Sequence, residues 1–65
     1  MLLGVELGDL GQAIGRLSPD LRAVIQATVL DGLTTREAAV LLGIPTGTVK
    51  TRAMRARKLL REELS

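Results

Sequence analysis

The sequence predicts an all-α fold, a four-helix domain that contains a helix-turn-helix and ends in a long C-terminal helix. Three observations support this fold class. Apolar residues recur at helical spacing in four segments, glycine or proline separates the segments, and the third begins with a capping box. With 65 residues the chain is expected to be one domain, occupying 9–65 after a linker or the tail of a preceding segment at 1–8. Because Phe, Tyr and Trp are absent, its core must be aliphatic.

The first helix is predicted at 9–17. Asp9 and Gln12 have the spacing of a capping box, with Asp in place of Ser or Thr. One apolar face follows at the offsets expected of a helix. It comprises Leu10, Ala13, Ile14 and Leu17.

The second helix is predicted at 19–31. Ser18 is suited to cap its N-terminus and Pro19 to occupy the first helical position. Gly32 can adopt the left-handed conformation that ends a helix. The predicted apolar stripe comprises Leu21, Val24, Ile25, Thr28 and Val29.

The third helix, at 35–42, and the fourth, at 46–64, are predicted to form the helix-turn-helix. Thr34 and Glu37 are the ends of a T-x-x-E capping box. Small Ala39 permits a close helix crossing, Gly43 permits a positive φ in the tight turn, and Val49 anchors the second helix. The second helix of such a unit enters the DNA major groove.

The fourth helix is predicted to be amphipathic. On a wheel of about 100° per residue, its apolar residues fall within roughly 80° of one another. The opposite side is centred near Gly47, Thr51, Met54 and Lys58. The inward stripe comprises Val49, Ala53, Ala56, Leu60 and Leu64.

Charge is unevenly distributed along the chain. Residues 48–65 hold six Lys or Arg against two Glu, whereas residues 1–47 hold three Arg against five acidic residues. A basic end on an acidic body indicates a polyanionic partner, although the same pattern also suits a solvated charged helix.

Composition excludes several classes of function. Without Cys there is no disulfide, thiolate metal site or thiol catalysis, and without His a zinc site would need carboxylates alone. No carboxylates pair into a catalytic dyad, so we expect neither an enzyme nor a cofactor. No apolar run approaches the roughly 20 residues that cross a bilayer, and the chain is expected to be cytoplasmic, with no membrane partner.

The stretch from Ser18 to Glu63 resembles region 4 of bacterial sigma factors, especially the extracytoplasmic-function group. The most specific part is the string G-T-V-K-T-R at 47–52, followed by R-A-R at 55–57. The resemblance implies recognition of the −35 promoter element, docking on the β flap of core RNA polymerase and, often, sequestration by an anti-sigma factor. The family's other large domain, which reads the −10 element, is absent, so we expect an excised fragment.

Four residues are predicted to read bases, because they lie on or beside the outward face of the fourth helix, in its first turns. Arg55 could bind guanine through O6 and N7, Thr51 is adaptable, and Met54 could contact a thymine methyl. Lys50 completes the set. The phosphate candidates, which would position the protein without reading sequence, are Thr34, Arg36, Thr48, Arg57 and Lys58.

Arg52 lies only about 60° from the inward stripe, where an unpaired guanidinium would be costly. A structural ion pair with Glu37 across the helix crossing is therefore predicted, with phosphate contact as the alternative. Arg61 is expected to lie too far along the helix for DNA and to pair with Glu62, Glu63 or solvent.

The first two helices are predicted to offer an apolar groove to the polymerase flap. The second helix carries more apolar residues than one buried face needs: Val24, Ile25, Ala27, Val29 and Leu30.

Two competing functions remain open. The output domain of a response regulator also ends in G-T-V-K-T, but usually carries His where this chain has Arg52. A basic amphipathic module that binds an acidic surface is the other, and it predicts no sequence preference on DNA.

Overall fold

The computed structural model describes residues 7–64 and forms four helices, with no β-strand in that range. Helix α1 spans Leu7–Gly15, and helix α2 spans Pro19–Ile25 and continues as a π-helical segment at Gln26–Leu30. Helix α3 spans Thr35–Leu42 and helix α4 spans Thr46–Leu64. The predicted fold class is confirmed.

Helix α1 begins at Leu7, two residues before the predicted start. Asp9 therefore lies in the first helical turn and not at the N-cap, and the predicted capping box with Gln12 is wrong. A carboxylate in this turn still favours the helix, because it faces the positive end of the helix dipole. Residues 1–6 of the predicted linker lie outside the described residues.

The start of α2 follows the prediction in its backbone. Ser18 is the N-cap, with extended φ and ψ of −59° and 156°, and Pro19 follows it in the first helical turn. The Ser18 side chain makes no capping hydrogen bond, so the proline supplies the main local signal for the start of the helix.

The π-helical segment changes which residues of the second helix are buried. The Asp31 N–H donates to the Gln26 carbonyl, five residues back, at 2.9 Å. Because a π turn holds more residues than an α turn, the residues after it move around the helix axis. Ala27 is buried, while Val29 is 48% and Leu30 57% exposed. Val29 is thus outside the core, contrary to its predicted place in the stripe.

The five apolar residues counted on the second helix divide into a buried set and an exposed pair. Val24, Ile25 and Ala27 are in the core and cannot face a partner. Val29 and Leu30 remain as the exposed apolar pair on this helix.

The turns around α3 form as predicted. The Glu37 N–H donates to the Thr34 hydroxyl at 3.0 Å, and the Thr34 N–H donates to the Glu37 carboxylate at 2.9 Å, which completes the capping box. Gly32 and Gly43 have φ of 70° and 68°, in the left-handed region. The turn at Gly43 lets the Ile44 N–H donate to the Ala39 carbonyl at 3.1 Å.

Two clusters of buried side chains form the core, and α4 contributes to both. The first joins α1 and α2 to the C-terminal half of α4. The second joins α2, its π-helical segment and α3 to the N-terminal half of α4, and most of its members are alanine. The members of the second cluster are Val24, Ala27, Ala38, Ala39, Val49 and Ala53. Because Ala39 and Val49 meet there, the predicted helix-turn-helix contact is confirmed.

Candidate nucleic-acid interface

The inward face of α4 is buried as its sequence pattern predicts. Val49, Ala53, Ala56 and Leu60 are at most 9% exposed, and Leu64 is half-buried against the first cluster. These contacts fix the rotation of the helix about its axis. The opposite face of α4 is consequently directed to solvent along its whole length.

The four predicted base-reading residues, Lys50, Thr51, Met54 and Arg55, are all exposed on α4. Met54 is 70% exposed and is the apolar residue of this group. Lys50 and Arg55 lie on opposite sides of the line through Thr51 and Met54, by the helical wheel. The structure thus brings the four together as one surface with an apolar centre and a cation on each side.

The Thr51 hydroxyl donates to the Gly47 carbonyl at 3.0 Å. A hydroxyl has one proton and two lone pairs, so this bond leaves Thr51 able to accept but not to donate. Its γ-methyl is the other group available on this face. In this rotamer Thr51 therefore suits a base that presents an amino group or a methyl.

Three of the predicted phosphate residues lie on α4. Arg57 and Lys58 are exposed, whereas Thr48 is half-buried. On the wheel Arg57 lies on the same side as Lys50, about 60° from the centre of the buried stripe, and Lys58 lies close to the outward centre line. With Arg55 on the opposite side, the cations of α4 therefore lie on both sides and along the middle of the exposed face.

The two phosphate candidates on the other helix, Thr34 and Arg36, are exposed at the start of α3. The hydrogen bonds of the capping box lower the pKa of Glu37, first through the Thr34 backbone N–H and then through its side chain. A carboxylate therefore already occupies the positive end of α3 at neutral pH. The Arg36 guanidinium remains available to an anion, whereas the Thr34 N–H and hydroxyl both interact with Glu37.

The predicted ion pair between Glu37 and Arg52 is wrong. The Glu37 carboxylate folds back on its own helix, where it accepts from Thr34. The Arg52 guanidinium instead lies 4.0 Å from the carboxylate of Asp20, at the start of α2. Within residues 7–64 no contact of ion-pair length joins Glu37 to Arg52. The expectation that Arg52 needs a partner was sound, but the partner belongs to a different helix.

A second ion pair, between Arg16 and Glu63, was missed by the sequence reasoning. It links the end of α1 to the end of α4, and both side chains are well exposed. Each of the two residues lies beside the apolar stripe of its own helix, and this position could have marked them as candidates for an ion pair. Their pairing could not be predicted, because the sequence near each residue does not show which helices pack together.

The described helices include none that is long and apolar enough to cross a membrane. Among the same residues, no three acidic side chains cluster in a way that could hold a metal ion.

Comparison with known proteins places this geometry in a family. A family model described as Sigma-70, region 4 matches residues 7–60. The ECF RNA polymerase sigma factor RpoE of Cereibacter sphaeroides is 43% identical over 60 residues, covering 92% of this chain and 33% of that protein. The ECF RNA polymerase sigma factor SigE of Mycolicibacterium smegmatis is 37% identical over 57 residues, covering 88% of this chain and 22% of that protein.

The chain thus spans a third or less of the length of these two relatives. No solved structure gives a significant match. The family match covers the whole helix-turn-helix and most of α4, and both relatives are sigma factors rather than response regulators. The chain belongs to the Sigma-70, region 4 family.

Proposed function

We propose that this chain recognises the −35 promoter element in the DNA major groove as the C-terminal domain of an alternative sigma factor. One observation carries the proposal: the exposed surface of Lys50, Thr51, Met54 and Arg55 lies opposite the buried stripe, on the second helix of a helix-turn-helix. That helix presents its N-terminal residues to base edges. In this role the domain helps direct RNA polymerase to promoters; both relatives are named RNA polymerase sigma factors.

The chemistry of the four side chains suits direct readout. Arg55 can donate two parallel hydrogen bonds to guanine O6 and N7, and Met54 can pack on a thymine methyl. Thr51, with its proton held by Gly47, can accept from the amino group of adenine or cytosine. Lys50 can donate to a guanine at the edge of the surface.

Phosphate contacts would hold this surface in register. Arg57 and Lys58 on α4, together with Arg36 on α3, place cations on two helices of the same unit, and Thr34 could contribute if its hydroxyl turned from Glu37 to a phosphate. Thr48 is half-buried and could contribute its hydroxyl only at the edge. Contacts to two helices fix orientation better than contacts to one, and none of them reads sequence.

Core RNA polymerase is the second partner that we propose. The exposed pair Val29 and Leu30 is displayed by the π-helical segment of the second helix, which offers an apolar contact for the β flap. An anti-sigma factor could regulate the domain by covering the same pair.

The test of the DNA proposal is selection of tight-binding sequences from a random duplex library with the 65-residue chain. We expect one enriched motif, and Met54→Ala should relax its preference at one position. Gln12→Ala, an exposed change on α1, is the control and should leave the motif unaltered. Enrichment of no motif, with equal binding to all duplexes, would overturn the proposal in favour of a generic basic module.

The test of the polymerase proposal is a pull-down with the isolated β flap. Leu30→Glu should weaken capture, because it places a charge in the apolar contact. Val40→Glu changes an 80% exposed residue of α3 in the same way and is the matched control. Equal capture of wild type and Leu30→Glu would exclude Leu30 from the flap contact.

A further inference from the structure

Arg52 lies on the side of α4 that also carries two proposed DNA contacts. Thr48 precedes it by four residues and Arg55 follows it by three, and side chains at these spacings are neighbours on a helix surface. The Arg52 side chain is 32% exposed, so it is neither in the core nor fully in solvent. A long side chain rooted at this point can extend either toward the DNA-facing surface or toward α2.

In the structure the Arg52 side chain extends toward α2, where Asp20 lies. Its carboxylate lies 4.0 Å from the Arg52 guanidinium and is 72% exposed. Asp20 is in the first turn of α2, where the helix dipole favours a negative charge. The distance exceeds that of a hydrogen bond, so the attraction is Coulombic and the guanidinium is held near α2 without being locked there.

We propose that Asp20 is a positioning residue for DNA binding: its carboxylate draws Arg52 toward α2 and withholds this cation from the DNA phosphates. The inference rests on the proposed function. Phosphate contacts strengthen binding to every sequence alike, whereas base contacts discriminate. By withholding one cation, Asp20 lowers the sequence-independent affinity that competes with promoter recognition.

The expected size follows from counterion release. Each phosphate contact adds about 0.9 to the magnitude of the slope of log affinity against log salt. Asp20→Asn frees Arg52 to make one such contact, so the slope should steepen by up to about 0.9, and binding to generic DNA should tighten by up to about fivefold at about 0.1 M salt, the limit set by the strength of an exposed ion pair. The pair is solvent-exposed and adds little to stability, so the melting temperature should change little.

Two controls separate this contact from a general effect of charge. Asp9→Asn removes the same charge from α1, which packs on the other half of α4, and should leave the slope unchanged. In an Arg52→Gln background, Asp20→Asn should have no effect on the slope, because the cation it would release is gone. Asp20→Glu keeps the carboxylate and should behave as wild type.

The experiment is a titration of each variant of the 65-residue chain against a short labelled duplex of mixed sequence, over a series of potassium chloride concentrations. A steeper slope for Asp20→Asn that disappears in the Arg52→Gln background supports the proposal. An unchanged slope, or the same change in both backgrounds, overturns it. If the wild-type chain binds no duplex, the proposed function itself fails. If it binds with a selected motif while Asp20→Asn has no effect, only this inference fails.

Discussion

Arg55 and Lys58 are three residues apart on α4, yet they should behave differently when changed to alanine. At about 1.5 Å of rise per residue, Arg55 lies about 14 Å along the helix from Thr46 and Lys58 about 18 Å. The major groove is about 12 Å wide. For a helix that enters with its N-terminus, Arg55 lies near the rim of the groove, where its long side chain can reach back to base edges, whereas Lys58 lies about 4 Å further along, beside the backbone.

Arg55→Ala should cost about 1–3 kcal/mol on the selected site, because a bidentate contact to guanine is lost. That cost corresponds to about fivefold to a hundredfold in affinity, and the preference should relax at one base pair. Lys58→Ala should weaken all sequences about equally and reduce the salt slope by about one. Both side chains are exposed, so neither change should unfold the domain.

The assay is binding of each variant to the selected site and to its single-base variants at several salt concentrations. Arg55→Lys is the control that keeps the charge and removes the bidentate geometry; it should retain the salt slope but lose discrimination. If Arg55→Ala weakens every duplex alike and keeps the ranking, Arg55 is a phosphate contact. The reading face would then be misplaced by about one helical turn.

Four further predictions concern the stability of the fold, each measured by thermal or urea unfolding. Gly43→Ala should destabilise by about 1 kcal/mol, because φ is 68° there and only the left-handed strain acts, with open space around a new Cβ. Gly47→Ala should instead stabilise by roughly 0.5–1 kcal/mol, since Gly47 is helical and equally uncrowded. Val49→Ala should cost about 2–3 kcal/mol, because two fully buried methyl groups are lost and a cavity is left. Glu37→Gln should make stability less sensitive to acid: the folded pKa of Glu37 is lowered, so its contribution is present above the ordinary value of 4.5 and is lost as the pH falls through the folded pKa.

Each of these has a clear contrary result. Equal effects of Gly43→Ala and Gly47→Ala would mean that the positive φ is not what makes glycine necessary in the turn. A loss of less than about 1 kcal/mol of stability for Val49→Ala would mean that the second cluster repacks to fill the cavity left by the two methyl groups. If the free energy of unfolding falls equally with pH in wild type and Glu37→Gln, the capping carboxylate does not contribute to acid sensitivity.

The features that could be predicted from sequence are those set by neighbours along the chain. The Thr34–Glu37 capping box, the left-handed glycines and the inward stripe of α4 each depend on residues within a few turns of one another. The base-reading candidates lie opposite the inward stripe of α4, so their exposure could be predicted from the same helical period. Local backbone geometry and the helical period were sufficient for these features.

The features that could not be predicted depend on contacts between distant segments or on a small change of helical phase. The π-helical segment at Gln26–Leu30 has no distinctive sequence, and the exposure of Val29 within it does not follow from the α-helical period. The partner of Arg52 was misassigned because its choice depends on how α2 crosses α4. Glu37 was equally plausible on a wheel, but its own N-cap is closer and already binds it.

In the alanine-rich cluster beneath the helix-turn-helix, enlarging a side chain should disturb the domain more than shrinking one. Alanine contributes little transfer free energy, so trimming Ala38 or Ala53 to glycine removes little apolar burial. Adding methyl groups is different, because Ala38 is fully buried where α2, α3 and α4 meet and has no room to grow. A valine there would push the recognition helix outward by a fraction of its diameter. Such a chain would keep its helices while the proposed base-reading face no longer fits the groove. Promoter selectivity would then be lost at a smaller perturbation than the fold itself.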